Sequence, residues 1–124
     1  MEFGTSIHCM DGRIQEPLQR YIKENYSIRY VDAITEPGPC KILSQNQDKS
    51  LLKSIDARLS ISLDNHGSKF IFISAHHDCA GNPVSKETQL NQLHESELLV
   101  NSKYPNVKTV KLWVNENFEV EEIS

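Results

Sequence analysis

The run Lys69-Phe-Ile-Phe-Ile-Ser-Ala-His76-His77-Asp78-Cys79-Ala80-Gly81 constrains this chain more than any other stretch. Its apolar part is short and rich in Phe and Ile, which predicts a buried β-strand over 69–75 and is too brief for an ordinary helix. Soft metal ligands follow at once. In an open parallel α/β sheet, ligands bind in the crevice beyond the carboxyl ends of the strands, so such residues stand where a site belongs. His76 and Cys79 have the spacing H-x-x-C, and an imidazole and a thiolate three residues apart at a strand end can point at one Zn²⁺, a borderline-soft cation that favours N and S. Taken alone, such a pair is more often a buried core Cys near a partly exposed His. Two ligands do not hold an ion, so the rest of the chain must supply more.

At 124 residues the chain is one domain by length, 1–124, able to bury a core without disulfide or metal staples. With 38% apolar and 24% charged residues and no apolar run near the ~18 residues of a membrane span, it is expected to be soluble and without a membrane partner. A net charge of −4 without a Lys/Arg cluster argues against nucleic acid. Met1-Glu-Phe-Gly-Thr-Ser6 shows no signal peptide, so the expected location is cytoplasmic. Cys9, Cys40 and Cys79, odd in number and far apart, fit a reducing compartment and metal-binding or catalytic thiols better than a disulfide framework.

Taken in order, a strand-like segment from Thr5 breaks at Gly12, and Leu18, Tyr21 and Ile22 predict an amphipathic helix over about 16–26 with Pro17 in its first turn. Ser27 to Ile34 alternates as a second strand, and Glu36-Pro-Gly-Pro39 is a turn that Cys40 follows. Leu51, Leu52, Ile55, Leu59 and Leu63 predict a helix from Lys49 to about Asn65. After the 69–75 strand, Leu90, Leu93, Leu98 and Leu99 predict another from Lys86 to about Ser102, and Val107 to Val114 then Phe118 to Glu121 predict a hairpin with an antiparallel edge strand. The order β-α-β-α-β-α-β-β calls for a three-layer α/β/α fold on a mostly parallel sheet.

Strand one ends in Cys9-x-Asp11-x-Arg13 and strand three in His76-x-x-Cys79, at the same edge of that sheet. If the two strands are neighbours, Cys9, His76 and Cys79 can bind one Zn²⁺ as Cys₂His and leave the fourth position open, as a catalytic site requires. A closed structural site would want a fourth Cys or His, for which Cys40 is the one remaining thiol. Asp11 and Arg13 alone read as a surface ion pair beside a turn, but next to a metal ligand the arginine can orient the carboxylate and keep it ionised. His77 reads as a neighbour or proton shuttle and Asp78 as a turn residue or a support behind the ligands; His8, His66 and His94 read as surface or core-edge residues without a role.

Cys9-Met-Asp11-Gly-Arg13 and His76-His-Asp-Cys79 resemble the signature C-x-D-x-R and H-x-x-C of the β-class carbonic anhydrases, and the likeness extends over the element order and the Gly/Pro turn after strand two. The resemblance implies a zinc enzyme that hydrates CO₂ to bicarbonate, strand order 2-1-3-4, and a site near a homodimer interface. It also implies Asp11 and Arg13 as catalytic partners, with an alternative state in which the aspartate takes the fourth zinc position. The chemistry agrees: Zn²⁺ lowers the pKa of its water towards ~7, and Asp11 would accept a hydrogen bond from the resulting hydroxide and aim it at carbon. Two departures stand out, the lack of the amino-terminal helices usual ahead of strand one, and Glu36-Pro-Gly-Pro-Cys40 in place of a small-residue stretch. The resemblance leaves three functions open: a carbonic anhydrase, a hydrolase of another small molecule such as carbonyl sulfide or carbon disulfide, and a non-enzymatic zinc-binding protein on the same fold.

Overall fold

A computed structural model describes residues 2–124. In chain order the elements are β1 (Phe3–Cys9), α1 (Gly12–Tyr26), β2 (Tyr30–Glu36), α2 (Pro39–Gln45), α3 (Lys49–Ser60), a single π-helical turn (Ile61–Asn65), β3 (Phe70–His76), α4 (Lys86–Lys103), β4 (Lys108–Val114) and β5 (Val120–Ile123). The strands make one sheet in the order β2-β1-β3-β4-β5, parallel except for β5, which runs antiparallel to β4. This is the expected 2-1-3-4 order with an antiparallel edge.

Alternate strand residues face opposite sides, and both sides are covered. On one, Ile7, Ile34, Ile71 and Ile73 pack with Leu43 of α2, Ile55 and Leu59 of α3, and Leu93 of α4. On the other, Phe72, Val110 and Leu112 pack with Ile14, Leu18 and Ile22, which recur every fourth residue along α1 and so form one stripe. Burying each of these side chains stabilises the fold by ~1.5–3 kcal/mol, which is why the helices lie flat on the sheet. Among the described residues, no helix is long and apolar enough to cross a membrane.

Several boundaries differ from the sequence expectation, each for a local reason. α1 begins at Gly12 rather than near residue 16 because Asp11, read as part of a break, is its N-cap and accepts the Arg13 N–H at 2.9 Å. Pro17 therefore lies inside the helix. Ser27 is left-handed (φ 55) and terminates α1, so β2 starts at Tyr30 instead of Ser27 and continues to Glu36. α2 was not expected: Pro39 stands in its first turn after a left-handed Gly38, and seven residues are too few to show a helical stripe. α3 stops at Ser60 and closes in a π turn, with the His66 N–H on the Ile61 carbonyl at 3.1 Å. β5 starts at Val120 rather than Phe118, because the Asn115 side chain accepts the N–H groups of Asn117 and Glu119 at 2.9 and 3.0 Å and holds the turn closed.

The turn after β2 touches the loop after β3 at the carboxyl edge of the sheet. A Cβ on Gly81 would lie 2.7 Å from the Pro37 carbonyl carbon and 2.9 Å from its oxygen, a collision with backbone rather than with a movable side chain. Gly81→Ala should therefore destabilise the protein by about 1–3 kcal/mol. Gly12→Ala, where a Cβ meets nothing within 4 Å, should stay within about 0.5 kcal/mol of the parent. Urea unfolding of the two variants checks this, and equal midpoints would contradict it.

Candidate metal centre

Parallel register sets Thr5 of β1 opposite Ile71 of β3 and Ile7 opposite Ile73, so both strands deliver their last residues to one edge. β1 ends there at Cys9 and β3 at His76. Beyond His76 the His77 N–H bonds the Val114 carbonyl at 2.9 Å, and Asp78, left-handed at φ 59, turns the chain so that Cys79 comes back towards Cys9. The two sulfurs stand 3.8 Å apart, and the ligand atoms of Cys9, His76 and Cys79 all lie within 4.8 Å of one another. All three residues are buried, at 5%, 2% and 4% exposure.

The donor set fits a Zn²⁺ ion on three counts. Two sulfurs each about 2.3 Å from a tetrahedral ion are themselves about 3.8 Å apart, which is the separation found. His76 Nδ1 lies 2.9 Å from the His77 carbonyl oxygen, which can only accept, so Nδ1 carries a proton; Nε2 is buried and has no hydrogen-bond partner. A buried nitrogen without a hydrogen-bond partner beside two thiols is suited to bind a cation. The third count is charge. Burial pushes the Cys9 thiol up, but the His76 imidazole and the backbone N–H groups nearby outweigh it and bring the pKa down to about 7. Burial and the neighbouring Cys9 push Cys79 up to about 11. Burial disfavours charge on His76, yet the Cys9 sulfur in front of it raises its pKa on balance. One thiolate excludes the other unless a cation lies between them.

Asp11 is held apart from this group. Its carboxylate accepts the Arg13 backbone N–H at 2.9 Å, Nε–H at 3.1 Å and Nη2–H at 2.7 Å, a two-pronged ion pair that keeps its pKa down at about 2. Arg13 also reaches the other strand's loop, with Nη2 on the Asp78 carbonyl at 3.1 Å and Nη1 on the Asp78 carboxylate at 3.4 Å. Arg13 thus ties the end of β1 to the turn that carries Cys79. Asp78 is a turn residue, as expected, and an anchor for Arg13 besides.

The remaining sequence candidates lie elsewhere. Cys40, buried in α2, contacts the Gln92 and Asn82 amides at 3.9 and 3.7 Å, outside the three-ligand group, and burial pushes its thiol up to about 12. His77 is exposed, His66 pairs with Asp32 at 2.7 Å, and His94 is exposed near Glu97. His8 is a correction: it is fully buried, between Ser6 Oγ at 2.8 Å and Gln15 Oε1 at 2.6 Å, and burial lowers its pKa. Two glutamines escaped the sequence reading. Gln15 donates to the Cys9 and Asp11 carbonyls at 2.9 and 2.7 Å, and Gln89 of α4 donates to the His76 carbonyl at 2.9 Å. The spacing of Gln15 four residues after Asp11, one helical turn, was the available signal.

A family model described as putative carbonic anhydrase matches residues 1–124. Among solved structures, the chain is similar to one reported with two tetrameric β-carbonic anhydrases from the filamentous ascomycete Sordaria macrospora. The TM-score is 0.56 at 11% identity, over 99% of this chain and 80% of that one, a likeness of fold. Among curated proteins there is no match. Since the family match runs the full length of a chain that has the β-carbonic anhydrase fold, this protein belongs to the putative carbonic anhydrase family.

Proposed function

We propose that the chain binds one Zn²⁺ through Cys9, His76 and Cys79 and catalyses the reversible hydration of CO₂ to bicarbonate, with Asp11 and Arg13 as catalytic partners. The observation that carries this reading is the buried, unpartnered His76 Nε2 beside two sulfurs 3.8 Å apart, with the Asp11 carboxylate held out of the group by Arg13. Three ligands and no fourth side chain leave a position for water or substrate. When bound, the ion supplies Lewis-acid chemistry and lowers the pKa of water in that position towards ~7.

The chain's own residues supply the rest. Cys9 and Cys79 bind as thiolates and neutralise the charge of the ion, while the His77 carbonyl on Nδ1 holds the His76 ring in the tautomer that presents Nε2. Asp11, ionised down to about pH 2 by Arg13, can only accept a hydrogen bond at working pH. It is therefore suited to accept the O–H of the attacking oxygen and turn a lone pair towards carbon, and too acidic to take up the proton that hydration releases. Arg13, fixed at once to Asp11 and to Asp78, sets the direction of that carboxylate.

Cys79→Ser should lose the metal, and zinc affinity of the parent should fall as pH drops, because protons compete for thiolate and imidazole. Elemental analysis after dialysis checks the first; Cys79→Ser retaining stoichiometric zinc would refute the ligand set.

Asp11→Asn and Arg13→Ala should keep zinc and fold but lose at least tenfold in turnover, equal to ~1.4 kcal/mol of barrier per factor of ten. Because Asp11 stays ionised from pH 6 to 9, its loss should lower the rate at every pH in that range. Stopped-flow CO₂ hydration on zinc-loaded protein reads both. A parent inactive at every pH with zinc fully loaded would reject CO₂ as substrate, and leave a hydrolase of carbonyl sulfide or carbon disulfide, or a non-enzymatic zinc protein.

A further inference from the structure

We propose that Gln15 is a positioning residue of this centre, holding the segment Cys9-Met10-Asp11 in place through a polar line that runs from the interior of the sheet. The proposal rests on the metal reading above for its consequence, though not for its geometry. Gln15 Nε2 donates one N–H to the Cys9 carbonyl at 2.9 Å and the other to the Asp11 carbonyl at 2.7 Å. Carbonyls only accept, so the amide has one possible orientation and its Oε1 must face His8 Nε2, which lies 2.6 Å away. His8 therefore carries its proton on Nε2, and its Nδ1 accepts the Ser6 hydroxyl at 2.8 Å. Each donor and acceptor along Ser6, His8 and Gln15 is assigned by its neighbour.

Two observations show why this line matters to the site. Met10, between the first proposed ligand and the proposed catalytic carboxylate, has 62% of its surface exposed, so packing does not fix Met10 itself. Its backbone is held instead by hydrogen bonds on both sides, the Met10 N–H to the Glu36 carbonyl of β2 at 3.1 Å and the two flanking carbonyls to Gln15 of α1. The second is cost. His8 and Ser6 are 0% and 1% exposed on β1, where apolar side chains would pack without the penalty of burying polar atoms. Fully paired, they form a rigid polar network whose far end is the backbone of Cys9 and Asp11. Gln15 touches no reacting atom; it acts through the direction it gives the Cys9 thiolate and the Asp11 carboxylate.

The test uses the full chain with Gln15→Leu, which removes every bond at similar volume, and Gln15→Glu, which keeps an acceptor for His8 but removes both donors. In metal-free protein, amide hydrogen exchange by NMR should accelerate at least tenfold at Met10 and Arg13, while the core amides of Ile73 and Leu112 exchange as in the parent. Zinc affinity by chelator competition should fall by roughly 10–100-fold, the usual effect of losing a group that orients a ligand. The thiolate charge-transfer bands of cobalt-substituted protein should shift. Unchanged exchange at Met10 and Arg13, or acceleration equal to that of the core, would overturn the proposal. So would local acceleration with the parent's zinc affinity and cobalt spectrum. A parent that binds no zinc would instead defeat the metal reading, and the exchange measurement would still decide whether Gln15 holds the segment.

Discussion

The site depends first on β1 and β3 lying side by side and parallel. Parallel pairing brings the carboxyl ends of two strands separated by more than sixty residues of chain to one edge; antiparallel pairing would put Cys9 at the opposite end of the sheet from His76. Because β1 and β3 are central strands covered by helices on both faces, what lies at their ends is already dry. The same burial that stabilises the fold removes water from two thiols and an imidazole. A cluster of this composition is then short of positive charge.

Arg13 reaches the turn that carries Cys79, but it does not meet that need. Its guanidinium is committed to the Asp11 carboxylate and to Asp78, so it braces the site from outside. The pair has a second effect. It holds Asp11 against the N-terminus of α1, and the carboxylate lies outside the group of Cys9, His76 and Cys79. Gln89 on His76 and Gln15 on Cys9 and Asp11 play matching parts, each an amide from the helix that follows a strand, bonded to the backbone where that strand ends.

Much of this was legible in the sequence, and the parts that were not share a cause. Strand β3 showed as an apolar run and α1, α3 and α4 as apolar stripes, because burial imposes periodicity; their alternation pointed to a mostly parallel sheet, and the family resemblance to its strand order. Cys9, His76 and Cys79 were legible as a group because the two motifs end strands expected to be neighbours; either motif alone reads more simply as core or turn. α2 was hidden because a helix of seven residues with a Pro in its first turn looks like a turn. His8 was hidden because a buried histidine and an exposed one are the same letter; what distinguishes them is Ser6 two residues back and Gln15 one helical turn beyond Asp11, a network spanning two elements. The Asp11–Arg13 contact was legible, but its role as an N-cap depended on where α1 begins.

The central claim is that these three side chains, and no others of the chain, hold a zinc ion. X-ray absorption at the zinc edge of the metal-loaded protein tests it most directly. The account predicts two sulfur ligands at about 2.3 Å, one imidazole, and one further light atom at about 2.0–2.2 Å. Three sulfurs, which would bring in Cys40, or a shell of light atoms with no sulfur, would contradict it.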